Sequence, residues 1–271
     1  LPIAGGSGNF DPEGIANAPD GTIWIASEGN GSGSRPNRLL QVDALGTVIN
    51  EIFLPARVTV CRNQSNAVSG LQGGFEGLAI VEEPVGPITA PGRSGDYWVV
   101  VAQQRGWNYT TNNCRKIDDD PLDVDNLEPS QTRLWVYDVG RNKWLDPIIY
   151  ELATKPLNAS WVGLSEVTRV DGGFVVIERD NRTGDFAELK TLVYFSDGAI
   201  ADGRVSASEK RVVDIIPDLL QSNGWITDKP EGVAVTPNGE VYLVTDNDGV
   251  DDWSGETTFL RLGNLATLFN L

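Results

Sequence analysis

One short element occurs four times in this chain, and recurrence of that kind restricts it to folds assembled from like units. The copies are Glu13-Gly14-Ile15-Ala16, Glu76-Gly77-Leu78-Ala79, Ser165-Glu166-Val167-Thr168 and Glu231-Gly232-Val233-Ala234, the third lacking the glycine. Each is followed by a turn and a short apolar run: GTIWIASE, DYWVVVAQQ, GFVVIERD and EVYLVTDND. Such runs, rich in Val, Ile, Trp and Tyr, read as strands. Two further runs follow the hairpin in the first three units: NRLLQVDALG with TVINEIFLP, TRLWVYDVG with KWLDPIIYEL, and LKTLVYFSDG with RVVDIIPDLL.

Four antiparallel strands per unit predict an all-β fold: a β-propeller of four-stranded antiparallel blades, about four of them recognisable, with residues 1–271 as a single domain. A two-sheet sandwich is the rival, but it gives no reason for a motif at the same place in every four-strand unit. The fourth unit has only TTFLRLG after its hairpin, so its outer strand must come from the C-terminal LATLFNL or from elsewhere. Outside the strands, only DIIPDLLQS suits a short turn of helix. The first residue is Leu1 and Met is absent, which suits a processed form or a fragment of a longer precursor. On that footing the propeller is either a small one or is incomplete without N-terminal blades.

In a propeller the first strand of each blade lines the central channel, so equivalent positions ring the axis. Glu13, Glu76, Glu166 and Glu231 are the expected ring, as metal ligands or as a catalytic base. The second strand returns antiparallel, bringing Glu28, Glu178, Asp246 and Asp248 to the same mouth, with Gln103 and Gln104 as neutral oxygen donors in the second unit. So many carboxylates in one place repel one another unless a cation compensates. Ca²⁺ is the expected cofactor, because it takes about six to eight oxygen ligands, whereas a chain with no His and two Cys is unsuited to Zn or Cu. The alternative is that each Glu accepts hydrogen bonds from a neighbouring blade while the Gly permits close strand packing.

The acidic stretch DNDGVDDWSGE, residues 246–256, departs from a calcium-loop pattern because Gly249 falls at loop position four and Val250 at the fifth, where a ligand is expected; of a peripheral Ca²⁺ site and an ordinary solvated loop, the loop is the preferred reading. DDDPLDVDN, residues 118–126, reads as a surface charge run. For a phosphorylated substrate the best-placed cations are Arg179, Arg182 and Lys229. The absence of His and of a Gly-x-Ser-x-Gly elbow excludes a Ser-His-Asp hydrolase.

With 38 acidic and 21 basic residues the formal charge is −17, which argues against nucleic acid as a partner. No apolar run is long enough for a membrane helix. Cys61 and Cys114 stand in Asn-rich, loop-like stretches, and a disulfide between them is the leading expectation. Sequons at Asn30, Asn63, Asn108, Asn158 and Asn181 favour a secreted glycoprotein.

In order along the chain, DPEGIANAPDGTIWIASEG, GGFEGLAI, LSEVTRVDGGFVVIERDNR and KPEGVAVTPNGEVYLVTDNDG resemble the phytase-like domain, a β-propeller family named for esterase-like activity of phytase. The resemblance runs through most of the chain. It implies a secreted or periplasmic propeller, Ca²⁺-dependent, that hydrolyses phosphoric esters with the Glu residues as ligands or base, and it implies further blade-like repeats on the N-terminal side. Three readings stand: a Ca²⁺-dependent phosphoesterase; a non-catalytic extracellular glycoprotein that binds missing blades, other copies or a partner through an open blade edge; and, ranked last, a lactonase-like propeller suggested by NDGVDD at residues 247–252.

Overall fold

The predicted strand runs pair into four sheets, and in each the strand that carries the repeated element stands at one end of the strand order, next to its counterpart in the neighbouring sheet. The computed structural model describes residues 2–3, 6–30, 35–55, 58, 73–85, 88, 96–106, 130–226, 229–246 and 257–271. The first sheet holds β1 (Pro2–Ile3), β2 (Gly6–Ser7), β3 (Pro12–Asn17), β4 (Ile23–Ser27), β5 (Arg38–Val42) and β6 (Val48–Phe53). Its order is β2-β1-β6-β5-β4-β3, with β1 added parallel to the outer strand β6. The second has β7 (Phe75–Val81), β8 (Trp98–Gln103), β9 (Gln131–Asp138), β10 (Lys143–Trp144) and β11 (Ile148–Glu151). The third is β12 (Val162–Val170), β13 (Gly173–Asp180), β14 (Lys190–Ser196) and β16 (Arg211–Asp214), while the intervening β15 (Arg204–Val205) crosses back to pair parallel with β11.

The fourth sheet is β17 (Lys229–Val235), β18 (Glu240–Asp246) and β19 (Phe259–Asn264), three strands only among the described residues. LATLFNL does not complete it: Asn264 caps the short helix α2 (Leu265–Phe269) by accepting from the Ala266 N–H at 3.1 Å. The run RVVDIIPDLL likewise divides into β16 and a helix, α1 (Ile216–Asn223), opened by Pro217 in its first turn and closed by Gly224. Among the described residues no helix is long and apolar enough to cross a membrane.

Inner strands β3, β7, β12 and β17 are neighbours in that order, and alternation along every strand sends apolar side chains to both faces. Three cores result. Trp24, Phe75, Tyr97 and Trp135 fill the first interface, Trp98, Leu134, Phe174 and Phe195 the second, and Ile177, Leu192, Val233 and Leu243 the third.

All four inner strands slip register at the repeated element. Glu13-Gly14 oppose Ala26 alone, Glu76-Gly77 oppose Ala102, Ser165-Glu166 oppose Ile177, and Glu231-Gly232 oppose Val244. Each is therefore a β-bulge, a device that re-aims one side chain and bends the strand. The glycine serves packing: a Cβ on Gly14 would stand 2.5 Å from the Gly77 Cα, and one on Gly77 2.5 Å from the Glu166 Cα. Only glycine lets inner strands approach so closely.

The predicted Cys61–Cys114 disulfide, the sequons Asn63 and Asn108, Asp248, and the acidic stretches 118–126 and 247–256 lie outside the described residues. Of the remaining sequons, the Asn30 side chain accepts from the Arg35 N–H at 3.0 Å, and that of Asn181 accepts from the Ser160 and Trp161 N–H groups at 2.7 and 3.3 Å. Asn158 donates its Nδ2 to Glu188 at 2.7 Å.

Candidate metal centre

The shared bulge defines which residues are equivalent. The first bulge positions are Glu13, Glu76, Ser165 and Glu231, so the third member of this ring is a serine and not the expected Glu166. One residue further along a strand reverses the direction of the side chain. Glu166 accordingly turns away: its Oε1 accepts from the Val167 N–H at 2.8 Å and lies where a Gly77 side chain would be. Burial pushes its carboxyl well above the ordinary range, opposed by the amides of Val167 and Val233. Ser165, 2 % exposed, donates to the Pro230 carbonyl at 2.7 Å and ties the third sheet to the fourth.

Glu13, Glu76 and Glu231 do converge, with one carboxylate oxygen from each lying within 4.8 Å of the other two. The second strands add a further ring at or just past the ends of their ladders with the inner strands: Glu28, Gln104, Arg179 and Asp246. Here too the expected Glu178 is displaced by one position, and Arg179 takes its place. Glu178 faces the second sheet, where it accepts from Tyr150 Oη at 2.8 Å, from the Ala153 N–H, and from Lys210 Nζ at 3.4 Å. That knot is buried, and burial raises the Tyr150 hydroxyl and lowers the Lys210 ammonium.

Arg179 donates Nη2 to Glu231 at 2.6 Å, with its side chain only 3 % exposed. Trp161 has two guanidiniums over its ring, Arg105 at 4.5 Å and Arg179 at 5.2 Å from its centre. Glu28 accepts from the Gly73 N–H at 3.1 Å. Lys229 stands 3.8 Å from Asp246 at the mouth, whereas Arg182 reaches away to the Asn158 carbonyl. Glu13, Glu28, Ser165, Lys229, Glu231 and Asp246 line a cavity of about 520 Å³.

The electrostatics follow from this crowding. Desolvation pushes Glu13 from its ordinary 4.5 up to about 8, with Glu231, Glu28 and Asp11 adding to the effect and Lys229 opposing it. Glu13 as a whole residue stays exposed, so the crowded tip is responsible rather than the stem. Burial raises Glu76 well above the carboxylate range, reinforced by Glu231, Glu28 and Glu13 and opposed by Arg179. Glu231 is raised by burial and held back by Arg179 and Lys229.

The phytase-like family model, described as esterase-like activity of phytase, matches residues 3–249. The chain belongs to the phytase-like family. No curated protein matches it. Among solved structures it is similar to the holo form of the pyranose dehydrogenase PQQ domain from Coprinopsis cinerea, at 10% identity and a TM-score of 0.45 over 97% of this chain and 53% of that one. It therefore spans about half the length of that neighbour. A glycoside hydrolase described as putative, from Parabacteroides distasonis, is similar over 87% of this chain and 82% of its own at 14% identity and a TM-score of 0.31.

A hard cation fits the carboxylate group of this phytase-like chain. Ca²⁺ sits about 2.4 Å from its oxygen ligands, so any two of them lie no more than about 4.8 Å apart. The three carboxylate oxygens meet that limit. Sequence reasoning missed Ser165, Arg105 and Trp161. Arg105 had one legible signal, a cation directly after the strand-end position that Glu28, Gln104 and Asp246 share.

Proposed function

We propose that this phytase-like propeller is a secreted, Ca²⁺-dependent hydrolase of phosphoric esters. The observation that carries the reading is the convergence of Glu13, Glu76 and Glu231 on one point beside a cavity open to solvent. A bound Ca²⁺ supplies Lewis acidity toward a phosphoryl oxygen. The residues around it divide the remaining work. Lys229, at the mouth, attracts the anionic end of the substrate. Arg179 holds Glu231 in place through its 2.6 Å contact. Glu13, the most exposed of the three carboxylates, takes the proton of the attacking water and returns it to the departing alcohol. Water is thereby split between phosphorus and the leaving oxygen, with no other reactant required. Secretion is supported by the sequons, and their glycans are the corresponding check.

A second reading is favoured by one observation: among the described residues that line the cavity, Lys229 is the sole cation, and it already faces Asp246. A highly phosphorylated substrate calls for several cations. In this reading the cation stiffens a non-catalytic propeller, and the edge of β19, unpaired among the described residues, pairs with another copy or a partner strand. Phosphate release from mono- and polyphosphate esters, measured with and without Ca²⁺ and for Glu76→Gln, separates the two. Ca²⁺-dependent release lost in Glu76→Gln supports the enzyme; Ca²⁺ binding without release supports the structural role.

A further inference from the structure

Gln104 is the neutral member of the second ring, at the position its counterparts fill with Glu28, Arg179 and Asp246. The residue is 7 % exposed. Its Nε2 donates to Glu76 Oε1 at 2.8 Å, so its amide is directed at the most deeply buried carboxylate of the converging three. Its Oε1 is buried and accepts no hydrogen bond from any described residue. A buried amide oxygen without a donor is unfavourable, and native interiors rarely leave one so.

We propose that Gln104 is a neutral oxygen ligand of the cation held by Glu13, Glu76 and Glu231, and that its amide turns over when the cation binds. This rests on the cation reading of the site. Without a cation, the NH₂ group faces the Glu76 carboxylate and offsets part of its charge. With a cation on that carboxylate, the same NH₂ would direct its hydrogens at a positive ion. A half-turn about the terminal side-chain torsion, which is soft and nearly two-fold, exchanges the two ends of the amide without moving the backbone. Oε1 then acquires the partner it lacks, and the repulsion is removed.

The identity of the residue fits this role. A fourth carboxylate at this depth would crowd onto three already within 4.8 Å of one another, with Glu28 close by. An amide oxygen extends the shell without adding charge, and hard cations accept such ligands readily.

Calorimetric titration of Ca²⁺ into the metal-free wild type, Gln104→Leu and Gln104→Met tests the proposal, with thermal unfolding of each metal-free protein alongside. The expected result is saturable binding by the wild type and affinity at least about tenfold weaker in both variants. Metal-free melting is expected to stay cooperative in both variants, with two opposing changes in its midpoint: Glu76 loses a donor while the orphaned oxygen is removed. Gln104→Met, which keeps the length of the side chain, serves if Gln104→Leu fails to fold. Wild-type affinity in the variants overturns the role of Gln104 while leaving the cation reading intact. Failure of the wild type itself to bind Ca²⁺ overturns both.

Discussion

The third and fourth sheets open on the same bulge, Ser165-Glu166 against Ile177 and Glu231-Gly232 against Val244, yet they put their carboxylates to opposite uses. Glu166 stands second in its bulge and lies outside the converging group, where the Val167 amide of its own strand and the Val233 amide of the fourth sheet satisfy it. Glu231 stands first and points at the channel, where Arg179, Glu13 and Glu76 meet it. A shift of one residue separates a packing group from a candidate ligand, because side chains on a strand alternate between faces. Position within the bulge, rather than the presence of an acid, decides the role.

The sharpest way to break this comparison is to remove each carboxylate in turn. Glu231→Ala takes the carboxylate from Arg179, whose side chain is 3 % exposed, and is expected to cost about 3 kcal/mol and to abolish Ca²⁺ binding. Glu166→Gln keeps an acceptor for the Val167 amide and is expected to leave Ca²⁺ affinity unchanged. Urea unfolding and calorimetry read both effects. Equal loss of Ca²⁺ binding in the two variants would put Glu166 back in the site.

Glycine substitution sharpens the packing half of the comparison. Gly77→Ala forces a Cβ to 2.5 Å from the Glu166 Cα and is expected to cost about 2–3 kcal/mol in urea unfolding. In the fourth sheet, Gly232→Ala meets only the Val244 Cγ1 at 2.7 Å, the end of a side chain that is 38% exposed and able to move. Its cost is expected to be about 1 kcal/mol or less.

Smaller effects follow from protons. Glu13 titrates at about 8 in the folded protein against 4.5 for the unconstrained group, so between those values the native state holds a proton that the unfolded chain has released. Metal-free stability contributed by this group therefore falls as pH rises from about 4.5 to about 8 and levels off above that. Glu13→Gln is expected to flatten this slope in melting curves taken across that range. Ca²⁺ must displace the same proton, so wild-type affinity is expected to increase with pH up to about 8. The smallest effect belongs to Lys229→Met: its 3.8 Å pair with Asp246 is solvent-exposed, and stability is expected to change by no more than about 0.5 kcal/mol. A marked rise in KM for a phosphoric ester in that variant would assign Lys229 to the substrate.

Much of this was written in local order. The four repeats, the strands that follow them and the all-β propeller could be read from alternating apolar residues and Pro-Asp-Gly or Pro-Asn-Gly turns, because those patterns act over a few residues. Glu13, Glu76, Glu166 and Glu231 could be read as the acids of the repeated element for the same reason, but that Glu166 leaves the group could not be. When the copies are aligned on Ile15, Leu78, Val167 and Val233, Ser165 already stands in the column of the glutamates. The acid beside it obscured that.

Register across strands was decided only in three dimensions. The bulges, the exchange of Glu178 for Arg179, the contacts of Trp161 with Arg105 and Arg179, and the Gln104 oxygen that finds no partner among the described residues all depend on which residue of one sheet meets which residue of the next. The sequence by itself determined the units and their chemistry, because propensity and turn geometry are local. The tertiary structure alone decided which carboxylates share one point, because a single-residue slip in a strand reverses every side chain and only packing between sheets selects the slip.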